Sequence, residues 1–521
     1  MAKKTATALV LAGCLVLAGC SASKSGSSNT SASRPKPPAY GYNGGGAAPG
    51  AAGQGIAGAP DAAGNGGKAA DRAGTDNRFG TELDPTDYPQ STFAMDVDTA
   101  SYGFARSLIQ QGRRPDPGDV RPEEFINSFR QDYPQPEGNG FTVNLDGARL
   151  PESHRPRPSG DVRLLRVGLQ TKGESLDQRP DAALTFVIDV SGSMGEPGKL
   201  DLVKDALDYL VDQLRPTDSV AIVTFSDEAK VLRQMTPVSQ RSQLHASIDR
   251  LEIEDSTNLE AGIVKGYDVA RQGFRSGLTN RVILLSDGLA NQGDTEAAAI
   301  LGRVKEEAGK QITLLGVGVG GDYGDTLMEQ LADNGDGMAV YVSDRQQARQ
   351  IFVNQLPANL SVRALDAKVQ VTFDPDTVTA YRLVGYDDRA LDASAFRNDH
   401  VDGGEVGPGH SVTALYTVRL REGASGTVAH AQIRWQDPGT HEANEKGATI
   451  DVSALGDGFT EASPELQVSY VAAYFAEVLR RSPYGGEVTL PNLAGIAEKA
   501  AGRTDDSAVS DLAAVIRLAA G

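Results

Sequence analysis

The chain has 521 residues, more than a single hydrophobic core usually organises, so its length predicts two or three domains. Hydrophobic residues make up 40% of the sequence, which is enough for a globular body, and the formal net charge is −19. This acidic balance argues against nucleic-acid binding and against a polybasic membrane-binding surface, because both need clustered Lys and Arg.

The first twenty residues predict an export signal peptide, because Lys3 and Lys4 form a basic start that precedes an apolar stretch too short to span a bilayer. Residues 17–20 (L-A-G-C) resemble the bacterial lipobox, which implies that Cys20 carries a lipid anchor. Cys14 ends an earlier copy of the motif, but cleavage there would truncate the apolar core. Both cysteines lie in this segment, so we expect the rest of the protein to have no disulfides. The lipid on Cys20 is expected to anchor the protein to a membrane of the cell envelope, outside the cytoplasm.

Composition and pattern divide the rest of the chain into five parts. Residues 21–80 are rich in Gly, Ala, Ser and Pro and predict a disordered tether. Residues 81–180 form a structured N-terminal region, and 181–356 alternate strands and helices as an α/β domain does. Residues 357–464 alternate apolar and polar side chains, as in an antiparallel β-sandwich, and 465–521 are helical.

In the N-terminal region we expect helices Ala100–Gln111 and Pro122–Phe129 and strands Phe141–Val143 and Val162–Leu169. In the β-sandwich-like region we expect strands Lys368–Phe373, Val412–Leu420 and His430–Trp435. We interpret the strands on both sides of the α/β domain as one β-domain, into which the α/β domain is inserted.

The α/β domain is predicted to be a doubly wound, mostly parallel sheet. Leu184–Ile188 and Arg281–Ser286 are apolar runs typical of buried strands. Apolar residues from Leu200 to Leu214 recur at helical spacing, so this helix packs one face on the sheet. The other expected elements are strands Ser219–Phe225, Ala229–Met235, Gln311–Gly316 and Met338–Val342 and helices Glu296–Glu307, Thr326–Ala332 and Arg345–Leu356.

Oxygen-bearing side chains follow two of these strands. Asp189, Ser191 and Ser193 come at the end of the first strand, Asp287 follows the fourth, and Thr257 lies on a loop between them. In a sheet of order 3-2-1-4-5-6 the first and fourth strands are neighbours at the topological switch point, where ligands gather. The pattern therefore predicts a divalent-metal site.

The motifs resemble, in the same order, those of a von Willebrand factor type A (vWA) domain with its metal-ion-dependent adhesion site (MIDAS). They are D-x-S-x-S, the helix K-L-D-L-V-K-D-A-L, the strand S-V-A-I-V-T-F, the loop S-T-N-L-E-A-G-I and the strand end S-D-G. The resemblance implies that the hydroxyls of Ser191, Ser193 and Thr257 bind Mg²⁺ (or Mn²⁺ or Ca²⁺) directly, while Asp189 and Asp287 act largely through water. It also implies an open position for a carboxylate of a protein partner.

Two further acids lie close to this loop. Glu254 and Asp255 precede Thr257 at positions where many relatives place glycines. We interpret them as solvated loop charges, and the alternative is that they add ligands to the metal.

Four other features are better explained by structure than by chemistry. Residues 316–321 spell G-x-G-x-x-G, but an exported protein with a short helix at this place is unsuited to nicotinamide cofactors. Asp96 and Asp98 start like a calcium loop, but Ala100 stands at the next ligand position, so we expect Asp98 or Thr99 to cap the following helix. The six histidines show no zinc-site spacing, and Trp435, the single tryptophan, is expected in the sandwich core.

The segments T-F-A-M-D-V-D-T-A-S-Y-G and P-E-E-F-I-N-S-F-R-Q-D-Y-P-Q-P resemble the vWA-associated region of YfbK-type bacterial lipoproteins, and the last residues of the chain resemble the C-terminal region of those proteins. The expected function is that of a surface-anchored, metal-dependent protein-binding module for adhesion or envelope assembly, without catalytic turnover. A metal-dependent hydrolase of the envelope is the alternative, with Glu254 as the nearest candidate base. Partnership with a nucleotide-hydrolysing chelatase fits poorly with export.

Overall fold

The computed structural model describes residues 80–521 apart from 155–159, 176–177, 289–293, 321–324, 356–359, 457 and 505. The predicted signal peptide with Cys20, and the predicted tether up to its last residue, therefore lie outside the described residues.

The strands of the described chain are β1 (Gln90–Ala94), β2 (Phe141–Arg149), β3 (Asp161–Thr171), β4 (Ala182–Asp189), β5 (Ser219–Phe225), β6 (Ala229–Pro237), β7 (Thr279–Ser286), β8 (Thr313–Val319), β9 (Met338–Val342), β10 (Ala364–Phe373), β11 (Val378–Val384), β12 (Ala390–Leu391), β13 (Gly404–Val406), β14 (Ser411–Leu420), β15 (Thr427–Gln436) and β16 (Ala443–Asp451).

Its α-helices are α1 (Ala100–Gln110), α2 (Pro122–Asn127), α3 (Leu200–Gln213), α4 (Arg241–Ile248), α5 (Leu259–Gly273), α6 (Asp294–Ala308), α7 (Asp325–Asn334), α8 (Arg345–Arg349), α9 (Pro464–Leu479), α10 (Leu490–Ala501) and α11 (Ser507–Ala520). A π-helical turn, Gln350–Asn354, continues α8. Within the described ranges, no helix combines the length and the apolar character that crossing a membrane requires.

The α/β domain contains a six-stranded sheet of order β6-β5-β4-β7-β8-β9. All its pairs are parallel except the edge pair of β5 and β6, so the predicted doubly wound order is confirmed. The alternation of side chains along β4 explains the two covered faces: Phe186 and Ile188 pack with Leu207 of α3 on one side, and Val187 packs with Ile263 of α5 on the other.

The G-x-G-x-x-G motif lies mainly inside strand β8, which begins two residues later than expected because Gln311 turns with a φ of 64°. Gly316 pairs with Leu284 of β7. A Cβ at Gly316 would lie 2.7 Å from the side chain of Met328, so the glycine lets α7 pack closely on the strand. Within residues 316–320, which the structure describes, the motif therefore serves packing of the helix on the strand.

Two antiparallel sheets form the β-domain, and both contain strands from before and after the α/β domain. One sheet has the order β11-β14-β3-β2, and the other has the order β12-β1-β10-β15-β16 with β13 beside β10. Leu165 of β3 pairs with Tyr416 of β14, and Phe93 of β1 pairs with Val369 of β10. The inner faces share one core, which includes Trp435. The predicted insertion of the α/β domain into one β-domain is confirmed.

The C-terminal helices pack on the N-terminal helices. Tyr102 of α1 and Phe125 of α2 share a core with Tyr474 and Phe475 of α9. Arg382 of β11 is fully buried beside them, and its guanidinium donates to the Glu477 carboxylate at 3.1 Å. Helices from before and after the α/β domain therefore stabilise one shared core.

The predicted cap of α1 is wrong. Thr99 makes no side-chain bond to the start of the helix, and the carboxylate of Asp98 accepts instead from the backbone N–H of Ala339 in β9, at 2.8 Å. The Ser101 N–H of the first turn is bonded by the Glu124 carboxylate at 2.9 Å. A long-range partner therefore takes the carboxylate that local capping would have used, a contact that local sequence patterns do not encode.

Candidate metal centre

Asp189 and Asp287 lie at the same edge of the parallel sheet. Asp189 is the last residue of β4, and Asp287 follows the last residue of β7. These strands are neighbours, with Ile188 opposite Leu285, so their carboxyl ends bring the two carboxylates together. Both side chains are buried.

The serines of the D-x-S-x-S motif complete a continuous oxygen cluster with these acids. Ser193 Oγ donates to Asp287 Oδ1 at 2.9 Å and lies 3.1 Å from Ser191 Oγ. Asp189 Oδ1 accepts from the Ser191 N–H at 2.9 Å, and its Oδ2 accepts from Ser286 Oγ at 2.6 Å. Four of the five predicted metal residues are thereby in one hydrogen-bonded cluster.

A nearby cation would stabilise the charged form of the buried Asp189 carboxylate. Burial raises the pKa of Asp189, although the hydroxyl of Ser286 and the hydroxyl and N–H of Ser191 favour its charged form. A dication would oppose the desolvation penalty by direct attraction.

Thr257 lies on a loop that is fastened to the ends of β4 and β5. The Glu254 N–H donates to the Val190 carbonyl at 2.6 Å, and the Asn258 N–H donates to the Ser226 carbonyl at 2.6 Å. Thr257 lies in the sequence between the residues that make these two bonds, and it is half-buried. In the described part of the chain no hydrogen bond joins Thr257 to the other four residues, so the structure brings its loop to the ends of β4 and β5 without a hydrogen bond to the cluster.

The carboxylate of Glu254 is engaged away from that cluster. It accepts from Ser226 Oγ at 2.6 Å and from Lys230 Nζ at 2.8 Å, and the hydrogen bond from Lys230 is the main reason why its pKa is lowered. Asp255 is exposed. This arrangement agrees with the interpretation of both acids as solvated loop charges.

Two residues of the cluster were not anticipated from the sequence. Lys199 Nζ donates to Asp287 Oδ2 at 2.7 Å, and it also lies 2.9 Å from Glu196 Oε2. Ser286, the last residue of β7, holds Asp189. A serine at the end of a buried strand is a weak signal for such a role, and nothing in the local pattern separates Lys199 from Lys204 of α3.

The donor set of the cluster suits a hard dication. Its atoms are carboxylate and hydroxyl oxygens, which Mg²⁺, Mn²⁺ and Ca²⁺ prefer. Across the described ranges, no group of three or more His, Cys, Asp or Glu residues is placed to hold a metal ion. An ion at this edge of the sheet would therefore depend on the serine hydroxyls as well as on the two aspartates.

Family models match most of the described chain. A model of the von Willebrand factor type A domain matches residues 183–354, a model of the C-terminal part of uncharacterized protein YfbK matches 358–429, and a von Willebrand factor model matches 75–157.

Curated relatives extend the match along the chain. Uncharacterized protein YfbK of Escherichia coli is 30% identical over 458 residues, which cover 83% of this chain and 78% of the relative. Uncharacterized protein sll0103 of Synechocystis is 25% identical over 293 residues, which cover 54% of this chain and 68% of the relative. Inter-alpha-trypsin inhibitor heavy chain H1 of Mesocricetus auratus is 29% identical over 184 residues, which cover 33% of this chain and 20% of that protein.

Solved structures are more distant. A von Willebrand factor type A structure from Catenulispora acidiphila has a TM-score of 0.43 and 16% identity, covering 72% of this chain and 89% of that chain. Proximal thread matrix protein 1 of the mussel byssus, solved with a zinc-occupied MIDAS motif, has a TM-score of 0.29 and 22% identity, covering 34% of this chain and 45% of that chain. On the family models and the relative in E. coli, the chain belongs to the YfbK family of proteins with a von Willebrand factor type A domain.

Proposed function

We propose that this protein is a divalent-metal-dependent protein-binding module that captures an acidic side chain of a partner. The observation that carries the proposal is the cluster of Asp189, Ser191, Ser193 and Asp287 at the carboxyl edge of the parallel sheet. Mg²⁺ is the expected ion, with Mn²⁺ or Ca²⁺ as substitutes, because the donors are all oxygens.

The charge of the cluster supports an anionic ligand. Two aspartates and the ammonium of Lys199 surround the position for the ion. Because Glu196 pairs with the same ammonium, a bound dication would bring the group to about neutral charge, and a carboxylate from outside would bind the ion itself through a charge-assisted bond.

The rim of the cluster supports a protein as the ligand. Ile253 is 40% exposed on the loop that leads to Thr257. A Cβ at Gly195, next to the D-x-S-x-S motif, would lie 3.6 Å from both Cγ atoms of Ile253, so the isoleucine covers this glycine. An exposed apolar side chain beside a charged anchor suits a protein interface, which surrounds polar contacts with buried apolar area.

A catalytic function is less well supported. The alternative of a metal-dependent envelope hydrolase needs a free general base near the ion, and Glu254 was the nearest candidate. Its carboxylate is paired with Lys230 and its pKa is lowered, which makes it a weak base. We therefore propose binding without turnover.

We further propose that Cys20 anchors the protein to a membrane of the cell envelope, on the strength of the lipobox-like sequence. The change Cys20→Ala should move the protein from the washed membrane fraction to the soluble fraction, as measured by immunoblotting. Persistence in the membranes would point to another anchor.

The binding function is tested by cross-linking in intact cells that produce the full chain, with and without a chelator, followed by mass spectrometry of what is attached. The same partner should be recovered several-fold less after chelation and with Thr257→Ala, whereas Ile253→Ser should lower recovery without changing metal affinity. Recovery that is indifferent to the chelator and to Thr257→Ala would place binding elsewhere on the molecule. Metal-dependent cleavage of peptide or phosphoester substrates by the purified protein would favour the hydrolase.

A further inference from the structure

Lys199 places a buried positive charge next to the oxygen cluster formed by Asp189, Ser191, Ser193 and Asp287. Its side chain is 6% exposed, although lysine is rarely buried unless it is paired. Its Nζ donates to Asp287 Oδ2 at 2.7 Å, while Ser193 holds the other oxygen of the same carboxylate. Both oxygens of Asp287 are therefore engaged within the chain.

A glycine after β8 leaves room for the side chain of Lys199. Gly320, which follows β8, has a φ of +86°, and a Cβ there would lie 2.6 Å from Lys199 Cε. The Gly320 carbonyl is also fixed by the hydroxyl of Tyr341 at 2.5 Å. A glycine at this position thus leaves the space that the lysine stem fills on its way to Asp287.

Lys199 has a second acceptor outside the cluster. Glu196 Oε2 lies 2.9 Å from the same Nζ, and the Glu196 side chain is 59% exposed, whereas that of Asp287 is 2% exposed. The ammonium thus bridges one acceptor inside the site and one in solvent. Loss of the inner bond would leave the lysine paired with the outer one.

We propose that Lys199 is the resident cation of the site: its ammonium occupies Asp287 in the metal-free protein and competes with the dication for that carboxylate. The inference rests on the proposed function, because it assumes that the cluster binds a metal. Two cations that share one buried carboxylate repel each other, so each lowers the affinity of the site for the other. Lys199 therefore sets the metal affinity below that of the bare oxygen cluster.

The contact between Lys199 and Glu196 predicts how a change of Glu196 would alter the metal affinity. When the dication binds, Glu196 remains an acceptor for the Lys199 ammonium. This lowers the free-energy cost of breaking the bond between Lys199 and Asp287. Removal of the Glu196 charge should strengthen the hold of Lys199 on Asp287 and weaken metal binding. The two residues should consequently have opposite effects on the same measured constant.

The test is calorimetric titration of the full-length protein in detergent with Mn²⁺ and with Mg²⁺. Lys199→Met should raise the affinity roughly tenfold, Lys199→Arg should leave it low because the charge remains, and Glu196→Gln should lower it a few-fold. Lys204→Met is the matched control, since Lys204 lies on α3 but bonds to the Asp249 carbonyl at 3.2 Å, and it should leave the affinity unchanged. Thermal unfolding without metal checks that each variant is folded.

Two failures can be told apart. If the wild-type protein and every variant fail to bind either metal, the proposed function is wrong. If the wild-type protein binds metal but a folded Lys199→Met variant binds it equally or less tightly, the resident-cation proposal is wrong while the metal site stands. Should Lys199→Met be unfolded, a Glu196→Gln affinity equal to or above that of the wild type overturns the proposal on its own.

Discussion

Two acidic clusters lie at opposite ends of the same parallel sheet, and they are built differently. At the carboxyl ends of the strands, Asp189 and Asp287 are surrounded by hydroxyls. At the amino end of β9, Asp96, Asp98 and Asp333 surround the guanidinium of Arg389, which donates to Asp333 Oδ1 at 2.9 Å. We call the second cluster, together with Glu329 of α7, the acidic joint, because Arg389 belongs to the β-domain and Asp333 to the α/β domain.

The comparison shows that the number of acids does not identify a metal site. The acidic joint has more carboxylates, but an arginine already fills its centre, with Asp96 Oδ2 at 3.5 Å and Asp98 Oδ2 at 3.7 Å. The oxygen cluster at the carboxyl edge of the sheet has fewer carboxylates, and it adds the neutral hydroxyls of Ser191 and Ser193, which can contact an ion directly. The acidic joint ties the two domains together, whereas the cluster at the carboxyl edge has carboxylate and hydroxyl oxygens without an arginine among them.

The largest expected effect tests whether the aspartates at the carboxyl edge of the sheet hold the metal ion. Asp189→Ala should lower Mn²⁺ affinity by more than roughly a hundredfold in calorimetry, because it removes a buried carboxylate from the site. Asp255→Ala, an exposed acid close to the same loop, should change the affinity less than about threefold. Equal losses in the two variants would mean that general acidity, and not this cluster, attracts the ion.

Arg389→Met should instead destabilise the acidic joint. The change leaves buried Asp96 and Asp98 without their cation, so the free energy of unfolding in urea should fall by about 3 kcal/mol. Mn²⁺ affinity should stay the same. Arg397→Met is the control, since that exposed arginine pairs with Glu445 at the surface and its loss should leave the free energy of unfolding nearly unchanged. A loss of metal binding in Arg389→Met would show that the two clusters are coupled.

The acidic joint should also make stability depend on pH. Burial, followed by the neighbouring acids, raises the pKa of Asp333 to about 6 even though Arg389 opposes the shift. Because this folded-state pKa lies above the unfolded value, the folded protein binds more protons in between, and the stabilisation present below about pH 4 is lost as the pH rises through about 6. The free energy of unfolding should therefore fall between about pH 4 and pH 6, and Asp333→Asn should flatten that slope. An unchanged slope would exclude Asp333 as a source.

The sequence predicts the α/β sheet well because its signals are local. Strands such as β4 and β7 are continuous apolar runs, and the acids that follow them share an edge once the strand order is known. The β-domain that holds the inserted α/β domain was also predictable from the strand patterns on both sides of the α/β domain. Short or exposed strands such as β12 and β16 carry no such pattern, and their positions depend on pairing with β1 and β15.

The contacts that the sequence did not predict are long-range and polar. Asp98 was expected to cap α1, but it meets Ala339 at a separation of 241 residues. Lys199 resembles any lysine near an amphipathic helix until its contact with Asp287, 88 residues away, is known. Helix periodicity reports which face is buried, whereas it does not report which distant carboxylate a polar side chain will meet.

A crystal structure of the protein grown with Mn²⁺, with anomalous scattering used to locate the ion, tests most directly whether the carboxyl edge of the sheet binds metal. We expect one strong peak within about 2.4 Å of Ser191 Oγ and Ser193 Oγ, close to Asp287 and the loop that holds Thr257. We also expect Lys199 Nζ to lie farther from Asp287 than the 2.7 Å found here. A peak at the acidic joint, or none at the carboxyl edge of the sheet in crystals with saturating Mn²⁺, would contradict the proposed metal site.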